Sequence, residues 1–173
     1  GWGASLAHFY QRKADVLNRG CNGFNSRWGL LLAPQLLKQQ RRPLLLVIVC
    51  FGANDAAVAV PPASADQHPL HVPLEEFEHN IRRIVQEIRS ISGPQTRVML
   101  MTPPPVHEAM LEPLASRGLM GGGQRRNERA RKYTDALMRA AEEMNTNRGR
   151  YVPPVHVVDI WKAMGGTDEG LAA

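Results

Sequence analysis

The chain contains the stretch Leu44-Leu45-Leu46-Val47-Ile48-Val49-Cys50-Phe51-Gly52-Ala53-Asn54-Asp55, in which an uncharged apolar run leads directly into a glycine turn. Pro43 and Gly52 bound the run, which is short for a helix and rich in β-branched residues. A strand without polar residues on either face is typical of a parallel sheet covered by helices on both sides. The sequence therefore predicts a central strand from Leu44 to Phe51, buried on both faces, with Gly52 to Asp55 at its carboxyl end.

Helical and strand patterns alternate on both sides of this run. Apolar residues at three- and four-residue steps predict a helix from Leu74 to Ile91, which Gly93-Pro94 stops. The other predicted elements are an opening helix at Trp2–Tyr10, a short strand at Asp15–Asn18, a helix at Leu30–Leu37 interrupted early by Pro34, a strand at Arg97–Thr102 ended by Pro103–Pro105, a hinge at Gly121–Gly123, a helix from Asn127 to Met144 with an inner face of Ala130, Tyr133, Leu137, Ala141 and Met144, and a strand at Val155–Trp161. This alternation predicts an α/β fold, a three-layer α/β/α sandwich with a parallel sheet, in one domain spanning residues 1–173.

Composition narrows the class of protein. A mean hydropathy of −0.30 is that of a soluble protein, and no apolar run approaches the roughly 20 residues that a bilayer span needs. No secretory signal can be read before the first helix. The two cysteines, Cys21 and Cys50, are predicted to be buried free thiols, because two are too few for a disulfide framework. These features favour a cytoplasmic location.

Positive charge is spread along the chain except in one cluster. The net charge is +5, and basic residues gather only at Arg125, Arg126, Arg129, Arg131 and Lys132. We interpret the cluster as the solvated face of a helix, with an anion site as the less favoured alternative. No aromatic residues interleave with it, so no nucleic-acid partner is expected.

Three loops follow the predicted strands at the edge of the sheet where ligands bind in such folds. They are Gly20–Arg27, Gly52–Asp55 and Thr102–Glu108, and the first two contain glycine. Gly52 lets the backbone turn close to a ligand, Asn54 can direct its amide into the crevice, and Gly23 can present a bare backbone N–H to the same point. Taken alone, such a turn is more often only a turn.

The loops together resemble the SGNH (GDSL) hydrolases, in particular the isoamyl acetate-hydrolysing esterase branch. The resemblance extends from Gly1-Trp2-Gly3-Ala4-Ser5-Leu6 through Met101-Thr102-Pro103-Pro104-Pro105 to about Met164. It implies a flavodoxin-like fold and hydrolysis of small, fairly apolar acyl esters. A serine attacks the carbonyl, a histidine held by an aspartate takes the proton, and an oxyanion hole stabilises the negative charge. The resemblance implies that Gly23 and Asn54 belong to that oxyanion hole, and it implies no cofactor and no metal.

The sequence departs from the family at two motifs. The family's G-D-S motif precedes the part that matches Gly1, and its D-x-x-H motif follows the last strand, but Gly165–Ala173 contains no histidine. The resemblance therefore implies a fold lacking its first strand and an incomplete hydrolase, which we expect to be inactive as it stands. The alternative is a pseudoenzyme or a ligand- or partner-binding module on the same fold. A nucleotide-binding protein is disfavoured, because the chain has neither a P-loop nor G-x-G-x-x-G.

Other reactive side chains receive structural interpretations. Ser26 is predicted to cap the helix that follows it, Ser5 to lie inside a helix, and Cys21 to be a buried thiol rather than a nucleophile. His107 is placed at the surface or the substrate rim. The remaining candidates are His68, His71 and His79, read as solvated histidines rather than metal ligands, and Asp55 and Asp159, read as acceptors that anchor loops. The identity of the ester and the oligomeric state are left open.

Overall fold

A computed structural model of the chain describes residues 1–58, 70–116 and 125–167. Its elements are α1 (Trp2–Phe9), α2 (Ser26–Lys38), β1 (Leu46–Cys50), α3 (Leu74–Ser92), β2 (Arg97–Met101), α4 (Glu108–Ser116), α5 (Asn127–Thr146), β3 (Val155–Val158) and α6 (Ile160–Ala163). The strands are parallel and lie in the order β1-β2-β3. The predicted α/β class with a parallel sheet is confirmed. The predicted hinge at Gly121–Gly123 lies outside the described residues.

The core lies between the sheet and the two crossover helices, α3 and α5. The apolar stripe of α3 is fully or almost fully buried, and it consists of Phe77, Ile81, Ile84, Val85 and Ile88. Val98 and Leu100 of β2 are also fully buried, as is Leu137 of α5. The amphipathic period of α3 was sufficient to predict this helix, and Gly93 ends it with a φ of 98° that favours glycine.

Helix α2 is longer than predicted and continues through Pro34. Proline removes one backbone hydrogen bond inside a helix, but α2 packs along α3. The expected early interruption is wrong because packing against a neighbouring helix outweighs the loss of one bond.

The position of strand β1 was predicted correctly, but its central place in the sheet and its burial on both faces were not. It begins at Leu46 and pairs only with β2, so it is an edge strand in the described sheet, and β2 is the central one. Leu45 is 70% exposed and Leu46 39% exposed. The free thiols of Cys21 and Cys50 are also exposed, contrary to the prediction that they are buried.

The predicted strand at Asp15–Asn18 is wrong, since this segment has no regular secondary structure. A strand requires a hydrogen-bonded neighbour, and the only described partner of β1 is β2. Helix α1 forms as predicted and contains Ser5, but none of its residues is buried. The first 22 residues therefore add little to the core.

The end of the sheet at β3 differs from the prediction in its length. The strand stops at Val158, and Asp159 caps α6 by accepting a hydrogen bond from the N–H of Lys162 at 2.9 Å.

Helix α4, which contains Pro113, was not predicted from the sequence. Among the described residues, every helix is too short or too polar to cross a lipid bilayer.

Candidate functional site

The turn after β1 is held by a buried carboxylate. Gly52 has a φ of 114° and packs on Pro103 so closely that a Cβ would lie 3.2 Å from the proline ring. Asp55 is fully buried. Its Oδ2 accepts from the N–H of Gly52 at 3.0 Å, and its Oδ1 accepts from the N–H of Ser26 at 2.9 Å. Asp55 therefore ties the turn to the start of α2, as its predicted anchoring role requires.

The environment of Asp55 opposes ionisation and supports it at the same time. Burial raises the pKa of Asp55, whereas the hydrogen bonds from Ser26 and Gly52 act to lower it. The donors include the backbone N–H groups of Ser26 and Gly52 and the side chain of Ser26, so the carboxylate serves as a structural acceptor. Nothing in this arrangement requires it to take part in proton transfer.

Asn54 brings the two predicted loops together. Its Nδ2 donates to the backbone carbonyl of Phe24 at 2.8 Å. Phe24 follows Gly23, whose φ of 82° is in the left-handed region that glycine favours. Gly23 is exposed, and among the described residues no acceptor contacts its N–H. The Asn54 amide thus contacts the residue next to Gly23.

Two arginines of the basic cluster point onto this turn. Arg125 donates through Nη1 to the carbonyl of Ala53 and through Nη2 to Oδ1 of Asn54, the latter at 2.6 Å. Arg129 donates to the carbonyls of Ala56 and Ala57 at 2.8 and 3.1 Å. The interpretation of the cluster as a solvated face is therefore wrong for these two residues.

The rest of the cluster does lie at the surface. Arg126 pairs with Glu108 at 3.4 Å, and Lys132 pairs with Glu128 at 2.6 Å. Arg131 lies over the ring of Trp161. The cluster thus divides into an inward pair and an outward group.

The inward direction of Arg129 could have been predicted from spacing. Residues four apart share a helix face, and the series Arg129, Tyr133, Leu137, Ala141 extends the predicted inner face of α5 toward its start. Arg125 precedes α5, so this spacing does not apply to it. Tyr133 belongs to the same face, and its hydroxyl donates to the carbonyl of Val72. Burial raises the pKa of Tyr133 to about 12.

Ser26 has a structural role other than the one predicted. The cap of α2 is Asn25, whose side chain accepts from the N–H of Trp28 at 3.3 Å. Ser26 is fully buried, and its Oγ accepts from Nδ2 of Asn80 at 3.0 Å. The prediction that Ser26 is the cap was therefore wrong by one residue.

The histidines lie in different environments. His71 is half-buried, and its Nδ1 lies 2.8 Å from the carbonyl oxygen of Asp55 and 3.2 Å from Nη2 of Arg129, so the reading of His71 as solvated is wrong. His79 is exposed as predicted, and His68 lies outside the described residues. His107 is exposed, and its Nδ1 accepts from the N–H of Met110 at the start of α4. The described residues contain no group of three metal-binding side chains.

The third loop packs against the end of β3. Thr102 is fully buried, and its Oγ1 accepts from the N–H of Trp161 at 3.1 Å. The same oxygen lies 3.4 Å from Oδ1 of Asp159. Asp159 is therefore a loop anchor as well as the cap of α6, in agreement with its predicted role.

The fold is that of an α/β protein with a parallel sheet, in which the turn after β1 contacts the Gly23 loop. A family model described as GDSL-like lipase/acylhydrolase matches residues 1–173, and the chain belongs to this family.

The chain is also similar to curated proteins over nearly its whole length. The chain is 37% identical to the isoamyl acetate-hydrolyzing esterase 1 homolog of Bos taurus, over 95% of the chain and 61% of that protein. The human protein of the same name is 35% identical over the same shares. The GDSL esterase/lipase WDL1 of Oryza sativa subsp. japonica is 38% identical over 100% of the chain and 61% of its own length. The chain thus spans about three fifths of the length of these relatives.

Proposed function

We propose that the chain carries the oxyanion-binding loops of a carboxylic ester hydrolase that acts on small acyl esters. One observation carries the proposal: the 2.8 Å hydrogen bond by which the Asn54 amide reaches the Gly23 loop. The family and the names of the relatives support the same class of reaction.

The chemistry follows from the donors at this point. The Asn54 carboxamide carries two N–H groups, one of which binds Phe24. The second can donate to a ligand beside the N–H of Gly23. Two donors aimed at one position stabilise the negative charge that develops on an ester carbonyl when a nucleophile attacks. Gly23 and Asn54 are the residues that we assign to this role.

The nucleophile and the base are not among these 173 residues in the family's motifs. No G-D-S segment is present, and no histidine follows His156. The buried position of Ser26 and its bond to Asn80 argue against Ser26 as a substitute. We propose that a protein made of these residues alone binds an oxyanion without hydrolysing esters.

A binding module without turnover is the second candidate function. We also propose a cytoplasmic location, supported by the free thiols of Cys21 and Cys50.

An activity assay distinguishes the two candidates. The 173-residue chain and a version extended with segments bearing G-D-S and D-x-x-H are compared on a short-chain p-nitrophenyl ester. We expect background hydrolysis from the first protein and turnover from the second. An extended protein that folds but gains no activity would favour the binding module. Turnover by the 173-residue chain that disappears in Asn54→Ala would contradict the proposed need for the two motifs.

A further inference from the structure

We infer that Arg125 is the positioning residue that fixes the orientation of the Asn54 carboxamide. This inference rests on the proposed function of Asn54. Arg125 donates to Oδ1 of Asn54 at 2.6 Å, while Nδ2 of the same group donates to Phe24 at 2.8 Å. Each end of the amide therefore has a partner that suits only that end.

The orientation matters because the two ends of a carboxamide have opposite hydrogen-bonding character. A guanidinium only donates hydrogen bonds, so Oδ1 is a favourable neighbour for it and the amide nitrogen is not. A flipped Asn54 would present Oδ1 to the Gly23 loop, where it would repel both the carbonyl of Phe24 and an incoming oxyanion. Arg125 thus keeps the donor end of Asn54 toward the site.

Arg125 is itself held in place by the turn that it serves. Its other guanidinium nitrogen donates to the carbonyl of Ala53, the residue before Asn54. Within residues 1–58, 70–116 and 125–167, no carboxylate forms an ion pair with Arg125. Burial lowers the pKa of Arg125, but an arginine stays charged at neutral pH. Its charge therefore polarises the Asn54 amide without a competing anion, and charge-assisted bonds of this type are about twice as strong as neutral ones.

Its neighbours in the basic cluster do not share this role. Arg129 binds the carbonyls of Ala56 and Ala57, so its contacts stabilise the backbone of the turn. Arg126 is adjacent in sequence but pairs with Glu108. A substitution of Arg126 is therefore the matched control for Arg125.

The test is NMR of the side-chain amide of Asn54 in the 173-residue chain, with the signal assigned by its loss in Asn54→Ala. A cation on Oδ1 strengthens the double-bond character of the C–N bond and slows exchange of the two amide protons. We expect exchange about tenfold slower for Asn54 than for the exposed Asn147, and the difference to become smaller in Arg125→Met, in which only the bond to Phe24 remains. Arg125→Lys should restore part of it, and Arg126→Met should leave it unchanged.

The NMR experiment tests the role of Arg125 separately from the proposed esterase function, since it measures no hydrolysis. An Asn54 signal that is the same in wild type and in a folded Arg125→Met variant would overturn the inference. If that variant does not fold, the wild-type protein decides: exchange as fast for Asn54 as for Asn147 would equally refute the role of Arg125. Slow exchange in a chain whose extended form lacks esterase activity would retain the positioning role and reject the hydrolase.

Discussion

The two edge strands of the described sheet differ in how their outer backbone groups are paired. At β3, the Asn145 side chain imitates a peptide group: its Nδ2 donates to the carbonyl of Val155 at 2.9 Å, and its Oδ1 accepts from the N–H of Val155 at 2.7 Å. At β1, no described element pairs with the outer side, and apolar Leu45 and Leu46 are exposed. An apolar run therefore shows that a strand is suited to burial, not that it is buried. At β1, the described residues cover less of the strand than its apolar sequence would predict.

The largest expected effect comes from comparing the central strand with the open edge. Leu100 of β2 is fully buried, whereas Leu46 of β1 is 39% exposed. Leu100→Ala should lower the free energy of unfolding by about 3 kcal/mol, because it leaves a cavity. Leu46→Ala should lower it by less than about 1.5 kcal/mol, because less apolar area is lost. Urea unfolding of both variants measures the difference, and equal losses would mean that β1 is covered as fully as β2.

A smaller effect is expected at the closed edge. Asn145→Ala removes both bonds to Val155, and we expect it to cost about 1–2 kcal/mol of unfolding free energy, since a partly buried N–H and carbonyl lose their partners. The control is Asn147→Ala, two residues further along at an exposed position, which should cost under about 0.5 kcal/mol of unfolding free energy. If the two variants are equally stable, Asn145 does not close the edge.

The smallest effect concerns the ion pair that joins α2 to α3. Arg27 binds Glu76 through two hydrogen bonds and lowers the pKa of Glu76 below its usual 4.5. The stabilisation is therefore complete above pH 4.5 and is lost as the pH falls through the lowered pKa. Because both side chains are more than a third exposed, it amounts to less than about 1 kcal/mol. The unfolding free energies of wild type and Glu76→Gln should converge on acidification, and a gap that persists at low pH would show that the carboxylate is not its source.

The sequence was sufficient where one periodic signal determined an element. The apolar steps of α3 and the stop at Gly93 give both its extent and its buried face. The contact between the Gly23 loop and the Asn54 turn was also predicted, but on the basis of a strand at Asp15–Asn18 that the structure lacks. The Gly23 loop instead lies directly before α2.

Prediction failed where the answer depended on neighbours across the fold. An apolar run indicates that both faces of β1 are suited to burial, but it carries no information on which strand pairs with its edge. The segment Asp15–Asn18 failed for the same reason, since it has strand composition but no described partner. The direction of Arg129 follows from its spacing to Tyr133 on α5, whereas that of Arg125 depends on its contacts with Ala53 and Asn54 across the fold.

The most direct test of the account is the kcat of Asn54→Ala in the protein extended with the G-D-S and D-x-x-H segments, measured beside Asn147→Ala. If Gly23 and Asn54 face one developing oxyanion, Asn54→Ala should lower kcat by about 10²–10³-fold with little change in KM, and the control should match the parent. A kcat equal to that of the parent enzyme would contradict the assignment of Asn54 to the oxyanion hole.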